Sequence, residues 1–180
     1  MRIGFFAVIF ALLLAAVSCG GHTAAPEMRI APMGVDEIPE QLRGYDCFSY
    51  MTDGTVSEMT VQLWLCSDGE WEAVTGTRAL AEAPDGIIAL RCDDNGTTEL
   101  VVANELLHRS VKPDGAPDFT GMASVTEAAA EAAAIKAGDE ILLFSRLGWA
   151  AASDEKTVYF KKFRDSGCDS GLALTVVFEP

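Results

Sequence analysis

The chain carries two histidines in 180 residues, His22 and His108. A zinc hydrolase or a Ser-His-Asp enzyme needs imidazole as ligand or base, and one imidazole in Leu106-Leu107-His108-Arg109 falls short of either set. His108 beside a strand-like run reads as a packed or surface residue, and His22 as solvated. Ser153-Asp154-Glu155-Lys156 matches Ser-x-x-Lys, the spacing that lets a lysine deprotonate a serine across a helical turn. Its surroundings are two β-rich runs, so it reads as a hairpin turn. Gly-x-Ser-x-Gly, His-Glu-x-x-His, a phosphate loop and Gly-x-Gly-x-x-Gly are all missing, and no cofactor is expected. The acidic doublets Asp36-Glu37, Asp93-Asp94, Asp139-Glu140 and Asp154-Glu155 fall at loops or element ends. Glycosidases draw their two carboxyls from separate segments, so these doublets read as solvated turns.

Two stretches come closer to a ligand site. Asp165-Ser166-Gly167-Cys168-Asp169-Ser170-Gly171 spaces Asp165 and Asp169 with glycine bends, as calcium loops do, but lacks a third acidic residue and a terminal glutamate. A pinned turn is the better reading, with Asp165 and Asp169 kept as weak calcium candidates. Trp64, Trp71 and Trp149, with Tyr45, Tyr50 and Tyr159, would form a sugar platform if several faced solvent together. Core packing is the stronger expectation: Trp71 alternates with glutamates as an inward residue should, Trp149 in Leu147-Gly148-Trp149 is ambiguous, and Trp149 is the choice if one tryptophan is exposed.

The N terminus says where such a domain lives. Met1-Arg2 brings one positive charge, and Ile3 to Val17 then runs apolar or glycine, the layout of an export signal and too short to span a bilayer. Leu14-Ala15-Ala16-Val17-Ser18-Cys19 resembles the lipobox of bacterial lipoproteins, with Ala16 and Ser18 as tolerated variants. The resemblance covers about the first 20 residues. It implies that Cys19 takes diacylglycerol and becomes the new N-terminal residue, so that the lipid attaches the protein to a membrane outside the cytoplasm. Cysteine parity agrees, since assigning one of five cysteines to lipid leaves an even set for disulfides. Cys47, Cys66, Cys92 and Cys168 have no Cys-x-x-Cys spacing, which disfavours zinc and redox motifs. Three connectivities are open. A hairpin folding near Asp53-Gly54 would set Cys47 opposite Cys66 and leave Cys92 for Cys168.

Residues 1–18 are thus a leader, 19–42 a Gly- and Pro-bearing spacer, and 43–180 one domain. The net charge of −14 repels phosphate backbones, so no nucleic acid is expected; a protein, cationic or carbohydrate ligand stays open. Within the domain, Thr60–Cys66 and Trp71–Thr75 flank the turn Ser67-Asp68-Gly69-Glu70, and Gly86–Cys92 and Thr98–Ala103 flank Asp93-Asp94-Asn95-Gly96. Ile141–Arg146, Trp149–Ala152, Thr157–Arg164 and Leu172–Phe178 add strands. One helix interrupts them: Ser124-Val125-Thr126-Glu127 has capping-box form, an alanine run follows, and Lys136 and Gly138 mark its end. The expected fold is mainly β, an antiparallel sandwich or partly open barrel with one Ala-rich helix. The expected function is noncatalytic binding or assembly at the membrane. The alternatives are a small extracytoplasmic hydrolase using His108, Ser153 and Lys156, and a secreted inhibitor or ligand carrier with Cys19 unmodified.

Overall fold

A computed structural model describes residues 28–80, 85–104, 108–111, 113–150 and 160–180. The expected leader, Cys19, His22, Ser153, Lys156 and Tyr159 lie outside the described residues. Among the described residues eleven strands follow in chain order: β1 (Arg29–Pro32), β2 (Asp46–Met51), β3 (Glu58–Ser67), β4 (Glu70–Leu80), β5 (Asp85–Cys92), β6 (Thr98–Ala103), β7 (His108–Val111), β8 (Ala123–Ala128), β9 (Ala133–Ala134), β10 (Glu140–Trp149) and β11 (Ser170–Glu179). They form a six-stranded sheet ordered β7-β6-β5-β2-β1-β9 and a five-stranded sheet ordered β4-β3-β11-β10-β8, with every pairing antiparallel. The two sheets bury a shared core that includes Phe48, Tyr50, Ile88, Leu90, Leu172, Leu174, Val176 and Phe178. This is a sandwich, not a closed barrel.

The turn chemistry explains the hairpins. Asp68 and Gly69 take φ of 52° and 84° between the paired Ser67 and Glu70, the positive values that a two-residue β-turn needs. Gly96 takes 80°, and the Asn95 side chain accepts the Thr97 N–H at 3.1 Å. The Asp53-Gly54 stretch does something other than fold a hairpin. It carries the chain from β2 in one sheet to β3 in the other, so β2 pairs with β1 and β5 rather than with β3.

The Ala-rich helix is not formed; among the described residues the only helical elements are short 3-10 turns at Glu40–Leu42 and Phe160–Asp165. Residues 123–128 pair instead with β10, from Ala123↔Trp149 to Ala128↔Phe144, and Ala133–Ala134 pair with β1. An alanine run with Val125 and Ile135 as its sole bulky apolar residues offers a helix almost no face to bury, and short isolated helices are marginal. Lying along two otherwise open sheet edges, the same backbone satisfies the N–H and C=O groups of β10 and β1. Ile135, 4% exposed, anchors the crossing, and its N–H donates to Met28 O at 2.9 Å. Gly138 does take positive φ, but in the turn that leads into β10.

Part of the 19–42 stretch expected as a spacer belongs to the fold. Arg29–Pro32 is a strand of the six-stranded sheet, and Met33, Ile38, Leu42 and Tyr45 pack on its outer face against Cys47, Ala89 and Val101. The proposed strands Ile141–Arg146 and Trp149–Ala152 begin as one strand, β10, while Phe160–Asp165 is helical rather than extended.

Candidate functional site

The outer face of the five-stranded sheet gathers most of the residues that the sequence singled out. On β11, Leu172, Leu174, Val176 and Phe178 face the core between the sheets. Ala173 and Thr175 on the other face are also buried, at 0% and 1% exposure, because residues 160–169 fold back over them. Phe163 is the plug. It is 2% exposed and meets Trp71 edge-on at 4.8 Å between ring centroids and Trp64 tilted at 6.4 Å. Trp149 and Leu147 of β10 complete the cluster with Cys66 and Cys168.

Trp149 is therefore not the exposed tryptophan. It is 6% exposed, and its indole N–H donates to Gly167 O at 3.1 Å, because β10 runs on through Gly148 and turns the ring beneath the 160–169 segment. Trp64 and Trp71 are the half-buried pair, and Trp71 faces this outer cluster rather than the inter-sheet core.

A polar network caps the cluster. The Arg164 guanidinium lies 4.1 Å from the Trp64 ring centroid and donates to both Glu140 carboxylate oxygens, at 2.9 and 2.7 Å. The Trp64 indole N–H donates to Thr175 Oγ1 at 2.9 Å. Hydrogen bonds from Arg164 foremost, with help from the Thr175 hydroxyl, hold the Glu140 carboxyl below its usual range against the opposing effect of burial. This closed ring orients the Trp64 face and places a bidentate ion pair at the surface.

The same edge borders an open groove of about 860 Å³ where the two sheets part. Its floor includes Ile30, Phe48 and Leu143, the Ala129–Ala134 crossing forms a wall, and Lys136, Glu140 and Arg164 stand on its rim. A second hollow of about 470 Å³ lies by Arg29, Met51 and Asp85. Apolar floors with a few charged rim groups suit binding; the groove's rim holds both signs of charge.

The calcium candidates do not converge. Asp165 is exposed at the end of its 3-10 turn, while Asp169 Oδ2 accepts the Ala150 N–H at 2.8 Å and its own N–H donates to Gly148 O at 3.0 Å. Among the described residues, no three His, Cys, Asp or Glu side chains are grouped to hold a metal. His108 lies on the edge strand β7, where its backbone pairs with Ala103.

The structure holds the four described cysteines in the reduced form. Cys47 does not face Cys66, because β2 and β3 belong to different sheets: Cys47 packs on the outer face of the six-stranded sheet and Cys66 in the Phe163 cluster. Cys92 packs against the inter-sheet core and is likewise separated from Cys168, which is in the Phe163 cluster. Burial, with the neighbouring Cys168 thiol second, pushes the Cys66 thiol up to about 12. Burial also raises Cys47 and Cys92.

Sequence reasoning missed Phe163, Arg164 and Glu140. One signal was present: the second face of β11, Ala173-x-Thr175-x-Val177, is small or apolar rather than charged, as a strand covered on both faces requires. The Arg164–Glu140 pair leaves no local signature. No family description, curated protein or solved structure matches this chain.

Proposed function

We propose that the chain is a membrane-anchored extracytoplasmic lipoprotein whose sandwich serves binding or assembly rather than catalysis. The observation that carries this is the N-terminal run, one positive charge and an apolar stretch ending in Leu14-Ala15-Ala16-Val17-Ser18-Cys19. Two or more acyl chains, at about 0.8 kcal/mol per buried CH₂, give stable attachment where one does not. The first strand opens at Arg29, leaving Gly20 to Met28 between the lipid and the sheet. Fully extended at about 3.3–3.6 Å per residue, that stretch holds the sandwich within roughly 30 Å of its anchor. The groove and the adjoining Trp64-Arg164 surface supply a binding face within that reach.

The test is incorporation of labelled palmitate into the full chain in a bacterial host, with membrane fractionation. Wild type takes up label and sediments with membranes, and Cys19→Ala does neither. Equal partition of both proteins into the soluble fraction overturns the proposal.

A further inference from the structure

We propose that Cys66 and Cys168 are joined by a disulfide that latches the 160–169 segment onto the outer face of the five-stranded sheet. Cys66 and Gly171 are partners in the β3–β11 ladder. A Cβ placed on Gly171 would lie 3.0 Å from the Cys168 sulfur. Cross-strand partners hold their Cβ atoms about 4.5–5.5 Å apart, so the Cys168 sulfur occupies the space of the missing side chain at 171, beside Cys66. The Cys66 sulfur itself sits 3.5 Å from the Cys168 carbonyl oxygen. Both thiols are buried in one cluster, at 3% and 1% exposure. The backbone that carries Cys168 is already fixed by Asp169 N–H to Gly148 O at 3.0 Å and Asp68 N–H to Asp169 O at 2.8 Å. The latch asks for side-chain rotation within this shared pocket.

Placement rules out a second bond among the described cysteines. Cys47 lies on the outer face of the six-stranded sheet, and Cys92 packs toward the inner core from β5. The sheet stands between them, so the four described cysteines make one disulfide and two thiols rather than the two bonds that parity suggests. Parity consequently lends no support to the lipid on Cys19, and the latch does not depend on that lipid. In closing, the two S–H bonds break and one S–S bond forms. Two protons and two electrons pass to an oxidant of the disulfide class, which leaves as two thiols. Apart from Phe163 and Cys168, residues 161–169 are exposed or half-buried, so the bond decides how firmly the Trp64-Trp71-Phe163 cluster stays covered.

The experiment uses the full chain, reduced and unfolded, then refolded in oxidised glutathione, alkylated in denaturant and digested. The expected map contains one cross-linked pair, Cys66 with Cys168, and alkylated Cys47 and Cys92. Dithiothreitol then lowers the melting temperature of wild type by about 10 °C and leaves a Cys66→Ser/Cys168→Ser protein unmoved. Alkylated Cys66 and Cys168 after oxidation, or either one bonded to Cys47 or Cys92, overturns the proposal. Should the double variant fail to fold, the wild-type map decides alone. A soluble, unacylated product would refute the anchoring and leave this map unchanged.

Discussion

Replacing Phe163 with alanine should loosen the outer cluster without dismantling the sandwich. The ring is 2% exposed and is held edge-on by Trp71 and beneath Trp64. Truncating a buried phenylalanine costs about 3–5 kcal/mol, in which lost aromatic contacts count for about 0.5–1.5 kcal/mol per pair. The lower end applies here, because Trp64 and Trp71 are half-buried and the space can partly refill from solvent. A loss of about 3 kcal/mol corresponds, in a domain of this size, to a melting temperature lower by about 6–12 °C. Urea unfolding of the full chain, followed by tryptophan fluorescence with excess reductant to keep Cys66 and Cys168 as thiols, reads both the loss and the exposure of the indoles. Phe163→Leu should recover more than half of the stability. A loss below about 1 kcal/mol with an unshifted emission maximum would refute the assignment of Phe163 as the plug.

Three other outcomes follow from named contacts. Gly86→Ala places a methyl carbon 2.5 Å from Tyr50 Oη and 2.7 Å from Ala103 O, so it should cost about 1–3 kcal/mol by thermal denaturation, and Tyr50→Phe should relieve part of that cost in the double variant. Glu140 has a depressed pKa, so its contribution is present above the unfolded carboxyl value of about 4.3 and is lost as pH falls through the lower folded value. An acid titration of tryptophan emission should therefore show a step below about pH 4 that Glu140→Gln abolishes; persistence of the step in that variant would assign it elsewhere. Because β8 is an edge strand paired on its β10 side alone, amide exchange across 123–128 should alternate between slow and fast. Continuous protection would mean a helix there.

The strands and their turns were legible because their signals are local. Asp68-Gly69 and Asn95-Gly96 carry the positive φ their turns require, and the Leu172-Leu174-Val176-Phe178 alternation finds the inner face of β11. The 123–136 stretch misled because its capping residues and alanines favour a helix in isolation, while two sheet edges, one on the following β10 and one on the distant β1, compete for the same backbone groups. Trp149 was ambiguous for a related reason: its burial depends on Gly167 and Phe163, which come later in the sequence. The cysteine pairing rested on a hairpin at Asp53-Gly54, yet that link changes sheets. Of the site, the tryptophans could be named from sequence, whereas Arg164 and Glu140 meet only through the return of residues 160–169 over β10.

Membrane attachment through Cys19 is most directly tested by the mass of the mature N-terminal peptide from the native host. The account predicts a peptide that begins at Cys19 and carries a diacylglycerol thioether. A peptide that begins elsewhere, or at an unmodified Cys19 with a free amine, would contradict it.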